Sequence, residues 1–281
     1  MPPNVVTRFA PSPTGPLHLG HGYSAILAHD AARDAGGRFL LRIEDIDQGR
    51  CRPAFVQAIF EDLRWLGLAW DGEVLFQSAR SDAYAAALDR LCDMGLAYVC
   101  TCTRAEIAAS APHGPAGPVY PGTCRHLGRV PDRTMPHCWR LDMAKAVALT
   151  GQLTWHDDVA GTLRASPEAQ GDIVIARKDA AASYHLAATV DDADQGVTLV
   201  VRGQDLFEAT HVHRLLQALL DLPTPEYRHH PLIAGADGER LAKRKGSVAL
   251  SDLRAEGMDG RALAEMLRGG SFPVGFALGP A

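Results

Sequence analysis

The chain has 281 residues, of which 47% are hydrophobic and 22% are charged, and its formal net charge is -5. This balance is typical of a folded globular protein, and the negative charge excludes a uniformly basic nucleic-acid binder. The sequence contains no apolar run of about 18 residues and no basic leader with an apolar core, so we expect a cytoplasmic enzyme. Six cysteines are few for a disulfide scaffold of this length, which favours free thiols or metal ligands.

The first hundred residues alternate between strand and helix patterns. Apolar runs predict two short strands, and apolar residues recurring at helical spacing predict three helices. In chain order these elements span residues 5–10, 17–36, 38–43, 54–66 and 82–94. Because strands and helices follow each other closely, we predict a parallel sheet with crossover helices, whose ligands bind at the carboxyl ends of the strands.

The pattern changes in residues 98–138, which hold four of the six cysteines and show no convincing period. We interpret them as an inserted subdomain. Beyond it, strands are predicted at 139–142, 172–176 and 197–201, and a helix at 206–220. We therefore expect the parallel sheet to resume after the insertion.

The stretch RFAPSPTGPLHLGH, residues 8–21, enters the first predicted helix. His18 and His21 are three residues apart, so they share a helix face near the positive end of the helix dipole, where both can donate hydrogen bonds to phosphate oxygens. Gly20 has no Cβ, which lets a flat ring or a phosphate approach the backbone. The alternative is a proline-rich turn with ordinary surface histidines.

A second basic motif lies far along the chain, at residues 237–247, which read DGERLAKRKGS. The alternative is a solvated basic loop at residues 240–245. Together, HLGH at 18–21 and RLAKR at 240–244 resemble the two signatures of the class I aminoacyl-tRNA synthetases. The lead-in RFAPSPTG and the segment RIEDID at 42–47 resemble the glutamyl branch of that family, and the resemblance extends from about residue 5 to residue 258.

The resemblance implies an α/β fold with a Rossmann-like parallel-sheet catalytic core, an inserted zinc-binding subdomain and no anticodon-binding domain. The implied boundaries are residues 1–97 for the first half of the catalytic domain, 98–138 for the insertion, 139–258 for the second half and 259–281 for a C-terminal tail.

The resemblance also implies a reaction in which a substrate carboxylate attacks the α-phosphate of ATP, supplied with magnesium, and pyrophosphate leaves. Such chemistry needs positioned cationic and hydrogen-bonding groups rather than a protein nucleophile. His18, His21 and Lys243 match the catalytic positions, and Gly20 joins them in binding ATP. Arg240 and Ala242 depart from the usual lysine and serine of the second signature. His229 matches a position near the nucleotide, with a surface role as the alternative.

A glutamate substrate needs arginines for its two carboxylates and an acid for its ammonium group. By resemblance, six residues bind it: Arg8, Ala10, Ser12, Glu44, Tyr184 and Arg202. For Tyr184 taken alone, a core tyrosine is the alternative, but its matching order with Arg202 favours binding.

The insertion carries a candidate zinc site. Cys100 and Cys102 are one residue apart, and Cys124 lies on a returning loop, which suits a tetrahedral structural zinc ion. His126 is the chemically easier fourth ligand, because a phenol ordinarily has a pKa of about 10. The resemblance nevertheless favours Tyr120, four residues before the last cysteine. The other cysteines, Cys51, Cys92 and Cys138, are assigned to packing.

Only a short segment follows the second signature. A catalytic core without an anticodon-reading domain resembles the truncated glutamyl-queuosine tRNA(Asp) synthetases. The implied function is activation of L-glutamate without tRNA, followed by transfer to queuosine in the anticodon loop of tRNA(Asp). Three alternatives remain. They are a truncated glutamyl-tRNA synthetase that charges the 3′ end of tRNA(Glu), a non-catalytic nucleotide-binding regulatory module, and a related nucleotidyltransferase that makes no amino-acid ester.

Overall fold

A computed structural model describes residues 5–114, 117–128, 136–235 and 248–279. Within these residues the helices are α1 (Leu19–Asp34), α2 (Pro53–Trp65), α3 (Ser81–Asp93), α4 (Arg104–Ser110), α5 (Met143–Thr150), α6 (Tyr184–Asp194), α7 (Phe207–Leu219), α8 (Leu250–Ala255) and α9 (Gly260–Arg268). The strands are β1 (Val6–Phe9), β2 (Arg38–Ile43), β3 (Leu75–Phe76), β4 (Ala97–Cys100), β5 (His113–Gly114), β6 (Gly117–Pro118), β7 (Cys138–Leu141), β8 (Thr154–Asp157), β9 (Gly161–Arg164), β10 (Val174–Ala176), β11 (Leu199–Gly203), β12 (Glu226–His230), β13 (Ile233–Gly235) and β14 (Phe276–Leu278).

The described residues form two compact units. The first comprises 5–78, 197–206, 225–235 and 248–279, and the second comprises 79–114, 117–128, 136–196 and 207–224. The predicted insertion at 98–138 lies within the second unit.

The first unit is built on parallel strands, as predicted. β1 pairs with β2 and β2 pairs with β3, while β11 pairs with β12 in the same parallel sense. Thr198, just before β11, joins the two sets, because its N–H donates to the Val6 carbonyl at 2.9 Å and its hydroxyl accepts from the Val6 N–H at 2.9 Å. The parallel core with crossover helices is therefore confirmed.

The core of the first unit lies between these strands and their helices. Phe39 and Leu41 on β2, Ile26 on α1 and Leu63 on α2 are completely inaccessible to solvent. Each such side chain contributes about 1.5–3 kcal/mol by leaving water. Gly37 makes the turn from α1 into β2, and a Cβ there would lie 1.9 Å from the Val5 carbonyl oxygen, so only glycine fits.

The second unit corrects one expectation. The predicted strands at 139–142 and 172–176 correspond to β7 and β10, but β7 pairs antiparallel with both β4 and β10. These strands do not continue the parallel sheet, which resumes only at β11. Apolar runs of four or five residues are equally compatible with either direction, because direction depends on the distant pairing partner.

The predicted helices shift by only one or two residues at most ends, and the first helix begins at Leu19 rather than Leu17. In the part of the chain that the structure describes, no helix combines the length and apolar character needed to cross a bilayer.

Candidate active site

The first unit gathers most of the predicted site residues at one edge of its parallel strands. Arg8 lies near the end of β1, Glu44 follows β2 directly, and Arg202 lies near the end of β11. This carboxyl edge is where open α/β sheets bind their ligands. The predicted location of the site is therefore consistent with the strand topology.

His18 and His21 form a histidine capping box at the start of α1. His18 is the N-cap residue, and its Nδ1 accepts from the Gly20 N–H at 3.2 Å. His21 Nδ1 accepts from the His18 N–H at 3.1 Å, and the two ring centroids are 3.7 Å apart. Because both Nδ1 atoms accept, the neutral rings carry their protons on Nε2. The local hydrogen bonds thus select the tautomer that carries its proton on Nε2.

Gly20 has a more local role than the sequence alone predicts. A Cβ at Gly20 would lie 3.2 Å from both Nδ1 and Cε1 of His18. Its absence therefore makes room for the capping imidazole itself, in addition to any approach by a nucleotide.

The loop between β1 and α1 crosses the end of β2. The Glu44 N–H donates to the Pro11 carbonyl at 3.0 Å, which places the predicted glutamate-binding backbone near the predicted acid. Arg8 is 5% exposed, Ala10 is half-buried and Ser12 is exposed. The side chain of Glu44 lies 3.5 Å from the fully buried Arg42, within ion-pair distance.

Arg202 is buried opposite His229, for which the sequence left two roles open. In the parallel register Arg202 faces His229, and its Nε donates to His229 Nε2 at 3.1 Å. His229 is 5% exposed, so the surface role considered for it is wrong. Tyr227 and His229 are two residues apart, and this spacing was the sequence signal that could have indicated a strand. In the structure the centroids of their rings are 6.0 Å apart, with an angle of 7° between the ring planes.

Lys243, Arg240 and Ala242 lie outside the described residues. The chain is described again from Val248, and there Ala249 forms an isolated bridge with His18 while the Leu250 N–H donates to the Leu17 carbonyl at 2.8 Å. The segment that follows the second signature is therefore bound directly to the first.

Tyr184 belongs to the second unit, where it begins α6. It is half-buried, and its ring centroid lies 5.5 Å from that of His213. The Ser183 hydroxyl caps this helix by accepting from the Leu186 N–H at 3.5 Å.

The predicted zinc ligands come together in the second unit. The sulfurs of Cys100, Cys102 and Cys124 lie within 4.8 Å of one another, and those of Cys102 and Cys124 are 3.6 Å apart. The Tyr120 hydroxyl lies 3.3 Å from the first sulfur and 3.4 Å from the second. Zinc–sulfur bonds of about 2.3 Å imply sulfur–sulfur edges of about 3.8 Å, so these four groups fit a tetrahedral zinc ion.

His126 fits the zinc geometry less well than Tyr120. It is exposed, and among the described residues no histidine nitrogen lies within 4.8 Å of all three sulfurs. A hydrogen bond from Cys138 lowers the pKa of Cys100, which favours the thiolate that zinc requires. Burial raises the pKa of Tyr120, so its phenolate needs the charge of a bound cation. The contact between Cys138 and Cys100 was missed because their pairing across β4 and β7 joins distant strands.

Comparison with known proteins places this geometry in a family. Residues 4–274 match the model of the class I tRNA synthetases (E and Q), catalytic domain. A glutamyl-Q tRNA(Asp) synthetase of Rhodobacter capsulatus is 54% identical over 90% of this chain and 96% of its own length. That of Symbiobacterium thermophilum is 45% identical over 89% of this chain and 81% of its own length. A glutamate–tRNA ligase of Oleidesulfovibrio alaskensis is 41% identical over 94% of this chain but only 56% of its own length.

A solved structure has the same fold. The glutamate tRNA ligase from Elizabethkingia meningosepticum, in complex with its amino acid, superposes with a TM-score of 0.70 at 27% identity. The match covers 91% of this chain and 53% of that one, so the chain spans about half the length of this structural relative. The chain therefore belongs to the class I tRNA synthetase family (E and Q), whose catalytic domain it carries.

Proposed function

We propose that the chain activates L-glutamate with ATP, without tRNA, and transfers the glutamyl group to the queuosine base of tRNA(Asp). The observation that carries this proposal is the 54% identity to a glutamyl-Q tRNA(Asp) synthetase over 96% of that protein's length. Because ATP and tRNA are cytoplasmic substrates, we also propose a cytoplasmic location.

In the activation step, a carboxylate oxygen of glutamate forms a bond to the α-phosphorus of ATP, and the bond to the departing pyrophosphate breaks. Negative charge builds on the phosphate oxygens. His18 and His21 are held in the tautomer that presents Nε2–H donors, and the start of α1 adds the positive end of its dipole. Gly20 completes this part of the ATP site.

We assign Lys243 to the same phosphate charge. It lies six positions before Ala249, which is bridged to His18. The assignment rests on the match of RLAKR to the second class I signature. Magnesium enters as the counter-ion of ATP.

The glutamate site is assigned to the carboxyl edge of the parallel strands. Arg8 and Arg202 supply the cations for the substrate carboxylates, and Glu44 supplies the acid for its ammonium group. Both arginines are 5% exposed, and buried charges bind opposite charges more strongly than exposed ones do. Ala10, through its backbone, Ser12 and Tyr184 complete the proposed set.

In the transfer step, a hydroxyl of the cyclopentene-diol of queuosine attacks the carbonyl carbon of glutamyl-adenylate. A new ester bond forms, the bond to the phosphate oxygen breaks and AMP leaves with the electron pair, while the hydroxyl proton passes to a phosphate oxygen of the departing AMP or to water. No protein nucleophile is required, so positioning of the two substrates supplies most of the rate enhancement.

We further propose that Cys100, Cys102, Tyr120 and Cys124 hold one structural zinc ion. The spacing of these four groups, close to the edges of a zinc tetrahedron, supports this assignment. When bound, zinc would cross-link β4 to the loop that carries Tyr120 and Cys124 and so stabilise this segment.

Glutamate-dependent exchange of labelled pyrophosphate into ATP, measured without tRNA, tests the activation step. We expect exchange with glutamate and much less with glutamine or aspartate, because the proposed site pairs two arginines with two carboxylates at a fixed separation. Exchange that required tRNA would favour an ordinary glutamyl-tRNA synthetase. No exchange under any condition would favour the non-catalytic module.

A further inference from the structure

The pairing of Arg202 with His229 in the first unit has no role in the function proposed so far. The two residues lie directly opposite each other on the parallel strands β11 and β12. Each is 5% exposed, so their contact is shielded from water. A polar pair at this depth is costly unless its hydrogen bonds are made.

The direction of the hydrogen bond is fixed by chemistry. A guanidinium group only donates, so His229 Nε2 is the acceptor from Arg202 Nε at 3.1 Å. The proton of a neutral His229 is therefore on Nδ1. A doubly protonated ring would have no acceptor for Arg202 and would place a second positive charge beside it.

A third side chain confines the guanidinium from another side. The Arg202 guanidinium carbon lies 5.5 Å from the centre of the Tyr227 ring, within the range of a cation–π contact. Tyr227 is 1% exposed, and its ring stacks on that of His229 at 6.0 Å. The hydrogen bond to His229 and the ring of Tyr227, both on β12, therefore restrict the orientation of the guanidinium.

We propose that His229 is a positioning residue for glutamate binding, acting through Arg202 rather than through the nucleotide. This inference rests on the proposed role of Arg202 in binding the substrate. Since Nε of Arg202 donates to His229, the terminal nitrogens of the guanidinium are the groups that would bind a carboxylate of the substrate. A guanidinium that is already held in one orientation binds a carboxylate without the entropy cost of ordering the long arginine side chain.

Kinetics of pyrophosphate exchange in two variants test this role. His229→Leu removes the acceptor, and we expect the KM for glutamate to rise by roughly 10- to 100-fold, the range for losing a charged hydrogen bond. The KM for ATP should stay within about twofold, since a group that serves only one substrate leaves the other's binding unchanged. His229→Gln, whose amide oxygen reaches close to the position of Nε2, should restore most of the affinity, whereas the shorter His229→Asn should not.

The matched control is His211→Leu in the second unit. His211 is 7% exposed, and its Nδ1 accepts from Trp155 Nε1 and from the Ser166 N–H, both at 3.2 Å. This variant loses a buried histidine acceptor of the same kind, so it should lower the melting temperature while leaving the KM for glutamate unchanged. The comparison separates a positioning effect from general destabilisation.

A double-mutant cycle decides whether His229 acts through Arg202. Once Arg202→Met has raised the KM for glutamate, His229→Leu should add little, because the contact it removes is already gone. Additive effects would contradict the inference, as would a rise in the KM for ATP alone. A wild-type protein without glutamate-dependent exchange would contradict the proposed function itself, and with it the assignment of Arg202.

Discussion

At the scale of single residues, the histidine pair combines a structural role with the chemical role that we propose for it. His18 and His21 use their Nδ1 atoms to cap α1, and this leaves Nε2 as the protonated nitrogen of each neutral ring. The two functions therefore reside on different atoms of the same side chain. A substitution that keeps one atom and removes the other separates them.

His18→Asn is such a substitution. Asparagine is a good N-cap residue, so the free energy of unfolding should change by less than about 0.5 kcal/mol, whereas His18→Ala should lose about 1 kcal/mol. Both variants lack the Nε2 donor and should lower the rate of glutamate-dependent exchange by roughly 100-fold. Urea denaturation and exchange kinetics measure the two effects. An asparagine variant with the wild-type rate would remove His18 from its proposed role.

The residue patterns predicted these two histidines but not the placement of His229. The spacing of His18 and His21 is local, and the helix that carries them has a clear apolar period. The strand Glu226–His230 is rich in polar residues, so it does not read as buried from its sequence. Its burial depends on the long-range pairing with β11, which no local pattern contains.

At the scale of elements, α1 is held at both ends. Its start is bridged to Ala249, before α8, and near its end Asp30 binds Arg268 of α9 through two hydrogen bonds of 2.7 and 3.0 Å. Burial by itself would raise the pKa of Asp30, but the hydrogen bonds from His29 and Arg268 outweigh it and lower the pKa to about 2.

Asp30→Asn should therefore lower the free energy of unfolding by an amount that depends on pH. Because the folded pKa lies below the unfolded value of about 3.9, the stabilisation is complete above that value and is lost as the pH falls toward about 2. We expect the variant to be less stable by about 1–2 kcal/mol at pH 7, with the difference shrinking below about pH 4. Urea denaturation at several pH values checks this. A difference that did not change with pH would contradict the ion-pair account.

The zinc assignment is also tested at the scale of elements. Tyr120→Phe should weaken zinc binding by at least about tenfold in competition with a chromogenic chelator, because the fourth ligand is lost. The matched control His126→Ala removes the rival ligand and should bind zinc as the wild type does. Reversal of these two results would make His126 the fourth ligand. A metal-free protein as stable as the zinc-loaded protein would contradict a structural zinc ion.

At the scale of the whole molecule, the sequence predicted the parallel core better than the second unit. The succession of β1, α1 and β2 joins neighbours in the chain, so local periodicity was sufficient. The antiparallel set of β4, β7 and β10 joins strands far apart in sequence, and its direction was not predictable from short apolar runs. The same long-range pairing brings Cys138 to Cys100, a contact that the cysteine spacing alone did not indicate.

The central claim concerns the acceptor of the glutamyl group, and labelling purified tRNA with radioactive glutamate tests it most directly. We expect ATP-dependent labelling of tRNA(Asp) that contains queuosine and none of tRNA(Asp) prepared from cells grown without queuine. Blocking the 3′-terminal diol of the tRNA while leaving queuosine intact should not reduce the label. Labelling of tRNA(Glu) at its 3′ end, independent of queuosine, would contradict the account.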